Sequence, residues 1–192
     1  AGTYYLRETT APVGYTAAEL TWTVKIAAGK ATISTPGGTT VTEMKNTSRL
    51  RLKLKVLGPL GEELPGAVLR VTRDNGSPML YKTNEAGAAL LEQMPAGDYI
   101  IRLAGTPTGY VPEDSAPNLK AEYGTLTYLD TANTAWQLEQ CEGEEYTYLL
   151  TLELKELHIL PSTGGAGTVP FTLAGAALMA VAVLLPGRKK VK

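Results

Sequence analysis

The sequence is poor in the residues that build most catalytic and metal sites. It has one cysteine and one histidine in 192 residues, so no intrachain disulfide framework can form and a Cys/His zinc site is excluded. No helical stripe of useful length precedes residue 165, and phenylalanine occurs once. No excess of positive charge is present either: the net charge is -1, which argues against a nucleic-acid partner. That figure conceals an asymmetry. Four of the 18 basic residues (Arg188, Lys189, Lys190 and Lys192) lie in the last five positions, leaving 14 against 19 acidic residues in the body, a net of -5. The sequence opens without a signal peptide.

What is present is strand-forming. Ten tyrosines, with frequent Thr and Val, favour sheet over helix. Leu50, Leu52, Leu54 and Val56 alternate with Arg51, Lys53 and Lys55, the period of a half-buried strand. Further strands are expected at 67–72, 88–91, 98–103, 126–129, 135–139 and 146–155, with 21–26 and 31–34 nearer the front. Asp74-Asn75-Gly76 and Ala28-Gly29-Lys30 read as turns. Short strands at regular spacing between such turns predict an all-β sandwich.

An internal repeat divides the chain. Residues 1–15, AGTYYLRETTAPVGY, and 96–110, AGDYIIRLAGTPTGY, share seven of fifteen positions at an offset of 95. A period of that size implies tandem domains. The block falls midway through the second domain but opens the first. The first is therefore expected to lack its front half, the chain being the C-terminal portion of a longer protein. Trp22 follows the first Gly-Tyr by seven residues and Trp136 the second by twenty-six. If the tryptophans correspond, the second domain carries an insertion of 19 residues near 111–135, a surface elaboration or a place for binding.

The most specific signal is C-terminal. Leu160-Pro161-Ser162-Thr163-Gly164 precedes a Gly-rich linker, an apolar run and the basic tail. The seventeen residues 169–185 give roughly 25 Å of helix, just enough for a hydrocarbon core. The basic cluster keeps the tail cytoplasmic and residues 1–160 outside. Taken alone, this is an ordinary type I membrane anchor. The five residues before the run match the LPxTG sorting signal, and the whole arrangement resembles the anchor cassette of Gram-positive cell-wall proteins. The resemblance implies that a sortase reads Leu160, Pro161, Ser162, Thr163 and Gly164 and cleaves after Thr163. An amine from a peptidoglycan precursor or a pilin lysine then resolves the acyl-enzyme. Pro161 enforces an extended entry, and Gly164 offers an unhindered leaving amide.

Tyr4 to Tyr15 in turn resembles the E-box of Cna B-type, SpaA-like prealbumin-fold domains, stalk modules of pilins and adhesins. Leu64-Pro65-Gly66-Ala67 and Thr83…Gly87 before Pro95-Ala96-Gly97-Asp98-Tyr99 fit the same pattern. The family closes its domains with Lys–Asn or Lys–Asp isopeptide bonds assisted by a buried acid. By strand period Tyr4, Leu6 and Glu8 share one face, and Thr42, Met44 and Asn46 another, both directed inward. A buried lone carboxylate is costly unless protonated or paired. Glu8 is thus the expected promoting acid and Asn46 the acceptor, with the lysine upstream of residue 1; a hydrogen-bonded core pair is the plain alternative. The second domain departs from the pattern. Leu103 replaces the acid, no Asn or Asp follows Asn133, and Lys55 alternates out of phase with the leucines, so no isopeptide bond is expected in residues 50–158.

The expected organisation is therefore as follows: residues 1–48, the C-terminal half of one sandwich; 49–158, a complete one; 159–168, sorting signal and linker; 169–187, a transmembrane helix; 188–192, a cytoplasmic tail. Cys141, His158 and the acids Glu142, Glu144 and Glu145 read as turn and linker residues, and no metal or cofactor is expected. The expected product is a structural stalk anchored outside the cell, its partners a sortase, the wall precursor, the membrane before sorting and any surface ligand of upstream domains. Pilin subunit, adhesin stalk and anchor of a surface enzyme remain open.

Overall fold

Alternation of apolar and polar residues marks several core strands of the computed structural model, which describes residues 1–129 and 135–158. In the second module β7 (Arg51–Leu57) buries Leu52, Leu54 and Val56 and turns Arg51, Lys53 and Lys55 outward. It pairs in parallel with β15 (Thr147–Glu153), whose Leu150 and Leu152 are fully buried. β10 (Ala88–Leu91) and β14 (Trp136–Gln140) flank that pair, giving the order β10-β7-β15-β14. The opposing sheet runs β13-β12-β11-β8-β9, from β13 (Thr125–Tyr128), β12 (Asn118–Glu122), β11 (Gly97–Gly105), β8 (Val68–Arg73) and β9 (Met79–Lys82). Leu69, Val71, Tyr99, Ile101 and Leu119 face the first sheet across a continuous apolar core. Such side-chain layers between two sheets define a sandwich.

The Leu64–Ala67 and Thr83–Gly87 motifs meet inside this module. The buried Thr83 hydroxyl accepts from Ala67 N at 2.9 Å and donates to Leu64 O at 2.8 Å. Asn84 Oδ1 caps the following turn by accepting from Ala86 N and Ala88 N. The Thr83 bonds satisfy buried loop groups that would otherwise lack partners.

The first module is one sheet, β1 (Gly2–Arg7), β3 (Thr21–Ala27), β4 (Lys30–Ser34) and β5 (Thr40–Val41) in the order β1-β3-β4-β5, plus the short pair β2 (Tyr15–Thr16) and β6 (Thr47–Ser48). Among the described residues, Trp22 is its one buried large hydrophobic. β1 is an edge strand bonded only to β3, whereas its repeat counterpart β11 is bonded on both sides, to β12 and β8.

Strand register corrects the proposed insertion. β1 pairs with β3 and β3 with β4; β11 pairs with β12 and β12 with β13. The β3–β4 hairpin turns at Ala28-Gly29 and the β12–β13 hairpin at Tyr123-Gly124, again 95 positions apart, all four residues with positive φ. The offset therefore persists through both hairpins. Trp22 corresponds in position to Pro117, not to Trp136. The 111–135 segment carries the ordinary hairpin of the fold, and the tryptophans misled because they lie on strands of different sheets. β9 and β12 also escaped the sequence reading. The anticipated transmembrane helix at 169–187 lies outside the described residues; within them, no helix is long and apolar enough to cross a membrane.

Candidate crosslinking site and sorting signal

Glu8 follows β1 directly and Asn46 precedes β6. The pairing of β2 with β6, Tyr15 opposite Ser48, returns the end of the module to its start. This brings the two side chains together across 38 residues. Asn46 Nδ2 donates to Glu8 Oε1 at 2.8 Å, and Ala18 N donates to Glu8 Oε2 at 3.0 Å. Both residues are half-buried. The carboxylate thus has one oxygen fixed by backbone and the other against the nitrogen that would leave if the Asn46 carboxamide were attacked.

The route by which the sequence pointed here needs correcting in part. Tyr4 and Leu6 are 56 % and 41 % exposed, so the face shared with Glu8 is not a core face among the described residues. Residues 43–46 form no strand, and Met44 is 45 % exposed. A period of two has no meaning in an irregular segment. Asn46 is aimed by the β2–β6 pairing instead.

In the second module the counterpart of Glu8, Leu103, packs against the core. Lys55 Nζ lies 2.9 Å from Glu63 Oε1 on the outer side of β7. Cys141 sits in the β14–β15 turn, its N–H donating to Thr147 O. Lys53 Nζ meets Glu144 at 2.6 Å; this hydrogen bond holds the lysine above and the carboxyl below their usual ranges. Among the described residues, no group of three or more His, Cys, Asp or Glu could hold a metal ion.

Sequence reasoning missed the strap that closes the second module. Leu157 N donates to Gly109 O at 2.7 Å, Val111 N to Lys155 O at 2.8 Å, and Tyr110 bridges Glu156. The Tyr110 hydroxyl donates to Glu62 Oε1 at 2.8 Å. Glu62 is held below the carboxylate range by its own backbone N–H and then by that hydroxyl; the same bond pushes Tyr110 up. The first module closes alike, Arg49 N donating to Gly14 O at 2.8 Å. The repeated Gly-Tyr was the available signal. Leu160, Pro161, Ser162, Thr163 and Gly164 begin three residues beyond the strap and lie outside the described residues.

The family profile of the SpaA prealbumin-like fold domain matches residues 1–45 and 54–134. The chain belongs to the SpaA prealbumin-like fold family. The LPXTG cell wall anchor motif matches residues 157–192. A SpaA-type stalk ending in this anchor is an extracellular surface protein, attached to the cell wall through sortase processing. The C-terminal fragment of the pilus adhesin SpaC from Lactobacillus rhamnosus GG is similar at TM-score 0.51 and 15% identity, covering 83% of this chain and 78% of that one. A structure of the pilus adhesin SpaC gives 0.50 and 14%, covering 81% of this chain and 25% of that one. The group B streptococcus pilus 2b backbone protein gives 0.45 and 16%, with 82% and 57% covered. No curated protein matches.

Proposed function

We propose that this stalk segment is joined to the wall through Thr163 and that its first module is closed by an amide crosslink at Asn46. The observation that carries the crosslink is the Asn46–Glu8 hydrogen bond of 2.8 Å. A lysine on a preceding strand of the same sandwich attacks Cγ of Asn46 through its neutral Nζ. The C–Nδ2 bond breaks and Nδ2 departs as ammonia. The proton shed by Nζ reaches Nδ2 through Glu8, whose Oε1 faces the leaving nitrogen. This is a single event per molecule, with no turnover. At the other end the sortase thiolate attacks the Thr163 carbonyl, Gly164 leaves, and the amine of a peptidoglycan precursor takes the acyl group. The apolar run holds the precursor in the membrane until then.

Two measurements test this. Intact-mass analysis of the full-length protein should show one ammonia missing, restored in Glu8→Ala, with tandem mass spectrometry of the joined peptides naming the lysine. An unshifted mass removes the crosslink. Cell fractionation should find Thr163→Ala in the membrane or medium and not in the wall; undiminished wall attachment removes the anchoring step.

A further inference from the structure

The two copies of the Pro-x-Gly-Tyr turn, Pro12–Tyr15 and Pro107–Tyr110, have different surroundings. Gly14, at φ +81°, lies flat against the β12–β13 hairpin of the following module. A Cβ on Gly14 would collide with the Gly124 backbone and come within 2.8 Å of Tyr123 C. A Cβ on Gly124 would meet Gly14 Cα at 2.7 Å and Tyr146 Cδ1 at 2.6 Å. These are mostly backbone obstacles, which cannot rotate aside. Around them, the Arg49 guanidinium stacks 4.6 Å above the Tyr146 ring and reaches Glu145 Oε2 at 3.1 Å. The equivalent positions elsewhere are open: Gly109 (φ +92°) and Gly29 (φ +75°) have nothing within 4 Å.

We propose that the Pro12–Tyr15 turn and the Tyr123-Gly124 hairpin form a knob and socket that locks successive stalk modules in one orientation. The partner this surface fits is the Pro-x-Gly-Tyr turn of a preceding SpaA-type module. Glycine at both contact points lets two backbones touch, and Arg49 seals the contact by spanning the junction. A joint in which backbone meets backbone at Gly14 and Gly124 has little room to hinge, which suits a stalk that transmits load. The inference rests on these contacts alone and stands whether or not Asn46 is crosslinked.

The internal repeat supplies the controls. Gly14→Ala and Gly124→Ala add a methyl at the contact, whereas Gly109→Ala and Gly29→Ala add one to the same left-handed backbone in open space. Each is made in the full-length protein and challenged briefly with trypsin, cleavage after Arg49 being followed by mass spectrometry. The first pair should raise that cleavage about tenfold by opening the joint, and the second pair should leave it unchanged. Spin labels at Lys30→Cys and Glu85→Cys, in a Cys141→Ser background, should show one narrow distance that broadens only with the first pair. Arg49→Ala, which leaves both cores untouched, should broaden it as well. Equal effects from all four alanines would reduce the observation to backbone strain, and a broad distance in the unaltered protein would mean that the modules hinge freely; either result overturns the proposal.

Discussion

The two modules carry the same strand grammar with different means of holding it. The second buries a continuous core between two sheets, with Leu52, Leu54, Val56, Leu69, Ile101, Leu119, Leu150 and Leu152 at zero exposure. In the first, Tyr4, Tyr5, Leu6, Ile26 and Met44 are exposed on or beside a single sheet. Where one module places Leu103 against its core, the other places Glu8 against Asn46. Burial of apolar surface stabilises the second module. The first has a polar contact suited to covalent closure. A stalk exposed to pulling gains from both, since an amide does not yield under a load that separates sheets.

The comparison breaks most easily at the cores. Leu54→Ala should lower the stability of the second module by about 3 kcal/mol, whereas Leu6→Ala should cost the first less than about 1 kcal/mol. Urea unfolding, followed in single-tryptophan versions that keep Trp136 or Trp22, separates the two. A Leu6→Ala cost close to that of Leu54→Ala would mean that β1 is covered in the whole protein.

Exchanging the divergent residue sharpens the contrast. Leu103→Glu puts a carboxyl where Leu103 packs against the apolar core and should cost about 2 kcal/mol, because a buried carboxyl is costly unless it is paired. The same unfolding curves check it. A cost below 0.5 kcal/mol, on the order of a surface change, would show that position 103 is wet.

The smallest effect concerns the strap. Glu62 is held below its unfolded value, so its contribution is present above the unfolded pKa and fades as pH falls through the lower folded one. Its backbone N–H is the larger cause and Tyr110 the second. Carboxyl NMR titration should therefore find Glu62 below the usual range and moved only part of the way back in Tyr110→Phe. A full return to the usual range would assign the whole effect to Tyr110.

Much of the fold was legible because β7 obeys a strict alternation and the Gly-Tyr blocks repeat. The failures have physical causes. β9 leaves Met79 and Leu80 exposed at a sheet edge, so its pattern carries no burial signal. β12 was missed because two buried tryptophans outweighed the turn at Tyr123-Gly124, although that turn keeps the offset of 95. At the candidate site, Glu8 and Asn46 were found by resemblance. The alternation invoked for Asn46 does not exist in an irregular segment, and pairing between β2 and β6 does the aiming.

The strap at Gly109 also sets a length. Leu157 is pinned by its hydrogen bond to Gly109, and Thr163 follows six residues later. Fully extended, six residues reach only about 20 Å. If sortase cleaves after Thr163 as proposed, covalent geometry alone limits the cut bond to that distance from Leu157. On that proposal the tether left after transfer is no longer than this, because the strap at Gly109 fixes the hydrogen-bonded chain at Leu157.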